Sequence, residues 1–71
     1  MTAADLNFGQ KATIKSIDKN HPSSQRIIEF GFTPGQEIEL INKSFFNDPI
    51  SLSIRGTLIA LRKTDAKSIK I

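Results

Sequence analysis

The segment Arg26–Gln36 limits the possible folds of this chain most strongly, because it combines a short helix with two backbone reversals. Residues Gln25–Phe30 predict a helix of about two turns, in which Ile27, Ile28 and Phe30 share a buried face. A helix of this length is not stable by itself in water. The helix is therefore expected to pack on a sheet.

The end of this helix and the turn after it carry glycine signals. Gly31 stands just past the helix, where a left-handed backbone is needed, so Phe32 is expected to fold back onto Ile27. Pro34 fixes φ, and Gly35 supplies a positive φ, in a predicted type II turn. Gly31, Pro34 and Gly35 are therefore expected to be structural joints.

Much of the remaining chain alternates apolar and polar residues with a period of two, which is the pattern of half-buried strands. The predicted strands are Lys11–Ile17, Glu37–Lys43, Ile50–Arg55, Thr57–Arg62 and Ile69–Ile71, with one helical turn over Lys63–Ser68. About five strands in one small domain favour a closed or nearly closed barrel, which removes exposed sheet edges. An OB-like barrel with an inserted helix is the alternative.

The composition leaves little from which to build a catalytic site. The chain has no cysteine, and His21 is its one histidine. Nucleophile–base sets, general acid–base pairs and glycine-rich phosphate loops are therefore all missing from the sequence. His21 and Asp48 lie in separate polar loops, where a solvated histidine and a turn-capping aspartate are expected. We predict no enzyme activity, no cofactor and no metal site.

The charge pattern bears on partners and compartment. The net charge of +3 is scattered, and a small basic barrel that binds single-stranded nucleic acid is the alternative function. Against it, Phe8, Phe30 and Phe32 are expected in the core, and outward Glu37 and Glu39 would repel phosphate. With no cysteine, no long apolar run and no signal-peptide pattern, a cytoplasmic protein is expected.

Four short motifs follow one another along the chain. They are Leu6-x-x-Gly9, Arg26-Ile27-x-x-Phe30-Gly31-Phe32-x-Pro34-Gly35, Asp48-Pro49-Ile50, and Ala60-Leu61-Arg62 followed by Ala66, Ile69 and Ile71. Each motif alone is weak, but the ordered set spans nearly all of residues 1–71 as a single domain. In this order they resemble the ferrous iron transport protein A (FeoA) family. The resemblance implies a mainly β fold, a small SH3-like β-barrel of about five strands with one short inserted helix.

The same resemblance implies a function based on protein contact. It indicates a non-catalytic accessory of bacterial ferrous iron uptake that acts on the cytosolic part of the membrane transporter FeoB. Phe45 and Phe46 are adjacent in a loop, so one ring can be exposed as a binding anchor. Leu58 or Ile59 is a second candidate for the same reason. Arg26 is expected to pair near the helix, where it could also contact a partner.

Overall fold

A computed structural model of the chain describes residues 1–44, 46 and 48–71, and within them the chain forms six strands and three short helical segments. In chain order these are a 3₁₀ helix Ala3–Asp5, β1 Lys11–Thr13, β2 Ser16–Ile17, α1 Ser24–Glu29, β3 Glu37–Lys43, β4 Ile50–Ile54, β5 Thr57–Leu61, α2 Lys63–Ala66 and β6 Ile69–Lys70. The predicted mainly β class with one inserted helix before β3 is therefore confirmed. Phe45 and Asn47 lie outside the described residues.

The strands form two antiparallel sheets that do not close into one continuous barrel. The larger sheet has the order β1-β3-β4-β5, and β2 pairs with β6 in the smaller one. The predicted strand Lys11–Ile17 is divided between them. Ile14 N–H donates to the Gln36 carbonyl (2.9 Å), while Lys15 N–H donates to the Lys70 carbonyl (2.7 Å). This segment therefore passes from the edge of one sheet to the other.

The two chain ends meet beside the smaller sheet. Thr2 and Lys70 form an isolated antiparallel bridge, and Ile71 N–H donates to the Met1 carbonyl at 3.1 Å. The 3₁₀ helix that precedes β1 was not predicted from the sequence. It buries Ala3 and Ala4. Both termini are thus held by backbone pairing.

The core is built from the inward positions of the central strands, as the alternation predicted. Ile38 and Leu40 on β3 are fully buried, and a register shift between Leu40 and Asn42 leaves Ile41 half-buried. Along β4 the burial alternates in step with the sequence. The core residues are Ala3, Ala4, Leu6, Ile14, Ile17, Ile27, Phe32, Ile38, Leu40, Ile50, Leu52, Ile54, Leu61, Ala66 and Ile69.

The predicted stop of α1 is confirmed in its hydrogen bonds. Phe30 is the C-cap, Gly31 has φ of 107°, and Gly31 N–H donates to the Ile28 carbonyl at 2.9 Å. Phe32 N–H donates to the Ile27 carbonyl at 3.3 Å, which completes the Schellman arrangement. Phe32 and Ile27 are both fully buried, as expected from this fold-back.

The predicted turn after the helix is also confirmed. Gln36 N–H donates to the Thr33 carbonyl at 3.1 Å, and Gly35 has φ of 93°. These values fit a type II turn with Pro34 at its second position and Gly35 at its third. The turn leads directly into β3, which pairs antiparallel with β1, so Arg26–Gln36 connects the helix to the larger sheet.

The predicted buried face of α1 is wrong for two of its three residues. Ile27 is buried, but Ile28 and Phe30 are exposed. The helix has six residues and its fold-back brings Phe32 into the core beside Ile27, so the space expected for Phe30 is taken. Phe8 was also expected in the core, and it is exposed.

Candidate partner-binding surface

Helix α2 connects the two regions that the sequence put forward for partner binding. At its first residue, Lys63 N–H donates to Asp48 Oδ1 at 2.9 Å, which holds the loop between β3 and β4. Two residues further along α2, Arg26 Nη2 on α1 donates to Asp65 Oδ2 at 3.1 Å. Lys63 and Asp65 are about 3 Å apart along a helix axis. The described part of the aromatic loop and helix α1 are therefore anchored at the same short helix.

Asp65 is a buried acid with two cationic or potentially cationic neighbours. Arg26 contacts one carboxylate oxygen, and His21 Nε2 lies 3.9 Å from the other. His21 Nδ1 accepts a hydrogen bond from Ser23 N–H at 3.1 Å, so the proton of a neutral ring belongs on Nε2, towards Asp65. The expected pairing of Arg26 near the helix is thus confirmed. Its side chain is still 59% exposed.

His21 and Asp48 remain apart from each other in the fold. His21 Nε2 lies 3.9 Å from Asp65 Oδ1, whereas Asp48 accepts from the backbone N–H of Lys63, the first residue of α2. Across residues 1–44, 46 and 48–71, no group of three His, Cys, Asp or Glu side chains is placed to hold a metal ion. The ion pair between Arg26 and Asp65 links α1 to α2.

The loop between β3 and β4 presents Phe46 to solvent. Phe46 is 89% exposed and has a positive φ of 59°. Ser44 N–H donates to the Pro49 carbonyl at 2.9 Å, and the Asp48–Pro49 peptide bond is cis. Phe45, the other half of the predicted aromatic pair, lies outside the described residues.

On β5 the exposed apolar residue is Leu58 and not Ile59. Leu58 pairs with Ser53 on the outer face of the sheet and is 61% exposed, whereas Ile59 packs against the core. The sequence did not show which of the two is exposed, because adjacent strand residues face opposite ways. The inward positions of β4 decide between them, since buried Leu52 is paired with Ile59.

Sequence reasoning missed Phe8 as an exposed aromatic residue. Phe8 is 76% exposed and stands in a tight turn in which Gln10 N–H donates to the Asn7 carbonyl at 2.9 Å. Gly9, with φ of 78°, follows it at the third position of this turn. The Asn-x-Gly pattern was a usable signal, because corner residues of a tight turn project away from the chain.

The outer face of the larger sheet carries charges of both signs. A depression of about 340 Å³ lies over this face, and its charged lining residues are Lys11, Glu37, Glu39 and Arg55. Glu37 is exposed and Glu39 is half-buried, so both carboxylates would meet a polyanion laid across the sheet. This face does not form the cationic groove that single-stranded nucleic acid requires.

No helix in the described part of the chain is both long enough and apolar enough to cross a membrane. The described helices are short, and the longest of them, α1, has six residues. The described surface also carries exposed aromatic and aliphatic side chains and a partly exposed arginine.

Known proteins are similar to this chain in sequence and in fold. A family model described as the FeoA domain matches residues 1–71. A Campylobacter jejuni protein named Fe(2+) transport protein A is 30% identical over 71 residues, which cover 100% of this chain and 96% of that relative. An Fe(2+) transport protein A/Fe(2+) transporter FeoB fusion protein of Porphyromonas gingivalis is 28% identical over 71 residues, which are 100% of this chain and 8% of the fusion.

A solved structure supports the fold assignment. The crystal structure of Stenotrophomonas maltophilia FeoA complexed with zinc, described as a procaryotic SH3 domain protein, superposes with a TM-score of 0.85 at 27% identity. The match covers 97% of this chain and 86% of that one. The small SH3-like fold is therefore confirmed. With the family model matching from the first residue to the last, the chain belongs to the FeoA family, which is associated with ferrous iron transport.

Proposed function

We propose that this chain is a non-catalytic accessory of ferrous iron uptake that binds the cytosolic part of the FeoB transporter. The observation that carries the proposal is the Porphyromonas gingivalis fusion, in which a segment similar to this whole chain is covalently joined to FeoB. Covalent joining of two proteins favours an intramolecular contact by raising their effective concentration.

The contact surface proposed here consists of Phe46, Leu58 and Arg26, with Phe45 as the neighbour of the first. Large aromatic side chains and arginine dominate the binding energy of protein interfaces. Phe46 is almost fully exposed, and its loop is held to α2 through Asp48. Arg26 is oriented by Asp65 through Nη2 but exposes much of its side chain, and a guanidinium group has further N–H donors for a partner.

In this proposal the chain works at the cytoplasmic face of the membrane, through its partner. The exposed groups described above include no assembled catalytic set, and the whole effect on transport comes from binding. Gly31, Pro34, Gly35, Asp48 and Pro49 hold the scaffold in place. They are not themselves contact residues.

A binding measurement with matched aromatic variants tests the proposal. The purified chain is titrated against the cytosolic region of the FeoB protein from the same source, and Phe46→Glu is compared with Phe8→Glu. Both residues are exposed phenylalanines, but Phe8 lies in the Asn7–Gln10 turn outside the proposed surface. Phe46→Glu should weaken binding by about thirtyfold or more, as expected for an aromatic anchor.

The controls separate a lost contact from a lost fold. Circular dichroism and the melting temperature should be unchanged in Phe46→Glu, and Phe8→Glu should bind as the unmodified chain does. Equal affinities of all three proteins would remove Phe46 from the interface. Failure of the unmodified chain to bind, together with retention of total RNA at physiological salt, would contradict the proposed function and favour the nucleic-acid alternative.

A further inference from the structure

The outer edge of strand β5 is open. β5 stands last in the sheet order and pairs with β4 along all five of its residues. Its other side receives no backbone hydrogen bond from any described residue outside β4. The strand contains no charge, proline or glycine, and no register shift interrupts its pairing. Charges, prolines and bulges are the usual features that protect an edge strand from pairing with another chain, and β5 has none of them.

The pairing identifies which backbone groups face outward. Arg55 and Gly56 form a two-residue hairpin turn, with φ of 52° and 79°, so the flanking pair Ile54–Thr57 exchanges both backbone hydrogen bonds. Antiparallel ladders alternate bonded and non-bonded pairs. The N–H and carbonyl groups of Leu58 and Ala60 therefore point away from β4, towards the open edge.

The same two residues also present exposed side chains. Leu58 and Ala60 lie on the outer face of the sheet opposite Ser53 and Ser51, and both are exposed. Thr57, Ile59 and Leu61 face the other way, towards the core side. An added strand would thus find free hydrogen-bonding groups and an apolar side chain at adjacent points of one edge.

Positive charge stands at both ends of this edge. Arg55 precedes β5 across the turn and Arg62 follows it, and both are exposed. Within residues 1–44, 46 and 48–71 neither arginine forms an ion pair. In the strand register Glu37 follows the Ile38–Ile54 pair towards Arg55, and Asp48 is engaged by Lys63 N–H. An incoming strand is therefore favoured when its own ends are acidic.

We propose that the outer edge of β5 is a strand-addition site for an extended segment of the protein partner, with an apolar centre and an Asp or Glu at each end. Main-chain hydrogen bonds to Leu58 and Ala60 would supply affinity, and alternate side chains would supply specificity. The inference rests on the proposed function only in taking the partner to be a protein. It identifies the partner segment by its shape and charge.

A second copy of this chain fits the edge less well. Antiparallel pairing that aligns Leu58 of one copy with Ala60 of the other brings Arg55 opposite Lys63. Like charges directly opposite each other in a sheet are destabilising. A segment with acidic ends would instead place opposite charges beside Arg55 and Arg62. We therefore propose a different protein, and not a second copy, as the occupant.

The edge can be tested directly with two synthetic peptides. Both share one alternating Val/Thr centre of about five residues, matched to the length of β5, and they are flanked by Glu in one and by Lys in the other. In a ¹⁵N NMR titration of the full chain, the Glu peptide should shift the Leu58 and Ala60 amides and bind about tenfold tighter than the Lys peptide. Added salt should reduce this difference. Unmoved Leu58 and Ala60 amides, or equal affinities, would overturn the proposal.

A proline variant tests whether the β5 edge takes part in binding the transporter. Ala60→Pro removes an outward N–H that β4 does not use, while Ala60→Val keeps that N–H and adds comparable bulk. Binding to the FeoB cytosolic region should fall about tenfold in Ala60→Pro and change less than about twofold in Ala60→Val. Equal binding of both variants would overturn the inference and leave the proposed function standing.

The two arms separate the two possible failures. If the unmodified chain does not bind the FeoB region but does bind the Glu peptide at Leu58 and Ala60, the proposed partner is wrong and the strand-addition site is supported. If sedimentation shows a dimer of the full chain that Ala60→Pro dissociates, the occupant is a second copy, which would overturn the heterologous assignment.

Discussion

Arg26 Nη2 lies 3.1 Å from Asp65 Oδ2, and this ion pair between residues 39 positions apart in sequence joins helices α1 and α2. The acid is buried and the cation is largely exposed, so the two partners differ in their expected contributions. Arg26→Met keeps the apolar stem and removes the charge, and we expect a loss of about 1 kcal/mol of unfolding free energy. Urea denaturation measures this loss.

A double-mutant cycle with Asp65→Asn isolates the pair. If the ion pair itself stabilises the fold, the two substitutions should be non-additive by about 0.5 kcal/mol or more. Strict additivity would show that Asp65 acts through its helix and not through Arg26.

Alanine substitutions of the two adjacent isoleucines on α1 should differ sharply in their cost in unfolding free energy. Ile27 is fully buried and Ile28 is exposed, although both have the same side chain. Ile27→Ala should cost about 2–4 kcal/mol, which approaches the whole stability of so small a domain, while Ile28→Ala should cost less than about 1 kcal/mol. Melting temperatures of the two variants check this directly. Similar costs would restore the shared buried face that the helical pattern suggested.

Substitutions of Gly31 should follow backbone preference and not side-chain size alone. An added Cβ at Gly31 meets nothing within 4 Å, but φ of 107° is a conformation that other residues adopt with strain. We expect Asn to be tolerated best, Ala to cost about 1 kcal/mol, and Val to cost more because it is β-branched. The order is read from denaturation midpoints, and a neutral Gly31→Val would contradict the helix-stop interpretation.

The hairpin between β4 and β5 can be improved. Arg55 has a positive φ of 52° beside Gly56 at 79°, a turn in which Asn-Gly is the preferred pair. Arg55→Asn should therefore raise the unfolding free energy by a few tenths to about 1 kcal/mol. Gly56→Ala is the matched control, and it is expected to lower the unfolding free energy. A less stable Arg55→Asn would indicate that the arginine makes a compensating contact.

The N-terminal capping box predicts a pH dependence. The Thr2 backbone N–H donates to Asp5 Oδ2 at 2.9 Å and holds the pKa of Asp5 below its ordinary value of 3.8. A lowered folded-state pKa contributes stability above the ordinary value, and this contribution is lost as pH falls through the folded-state value. Asp5→Asn should accordingly flatten the fall in stability below about pH 4. An acid limb identical in both proteins would exclude this contribution.

Alternation predicted the centre of the larger sheet well. β3 and β4 each have one face against the core, so burial imposes a period of two on the sequence, and Ile38, Leu40 and Leu52 follow it. The glycine and proline signals of the helix stop and type II turn were equally informative, because few residues allow those backbone angles. These local rules did not depend on where the elements finally pack.

The exposed aromatic residues could not be predicted in the same way. Phe30 stands at helical spacing from Ile27, and only the fold-back of Phe32 shows that its place in the core is taken. The split of Lys11–Ile17 was hidden for a related reason, since its two halves pair with strands far apart in sequence. Asp65 likewise becomes recognisable as a link only when α1 and α2 are brought together.

Because Ile71 donates to the Met1 carbonyl, the first and last residues of the domain occupy one corner. A tether leaving from either end would start from nearly the same point and would let the domain sample the same sphere of positions. Whether an attached protein precedes or follows this domain then makes little geometric difference, and the length and stiffness of the connection set how often β5 and the aromatic loop reach their target.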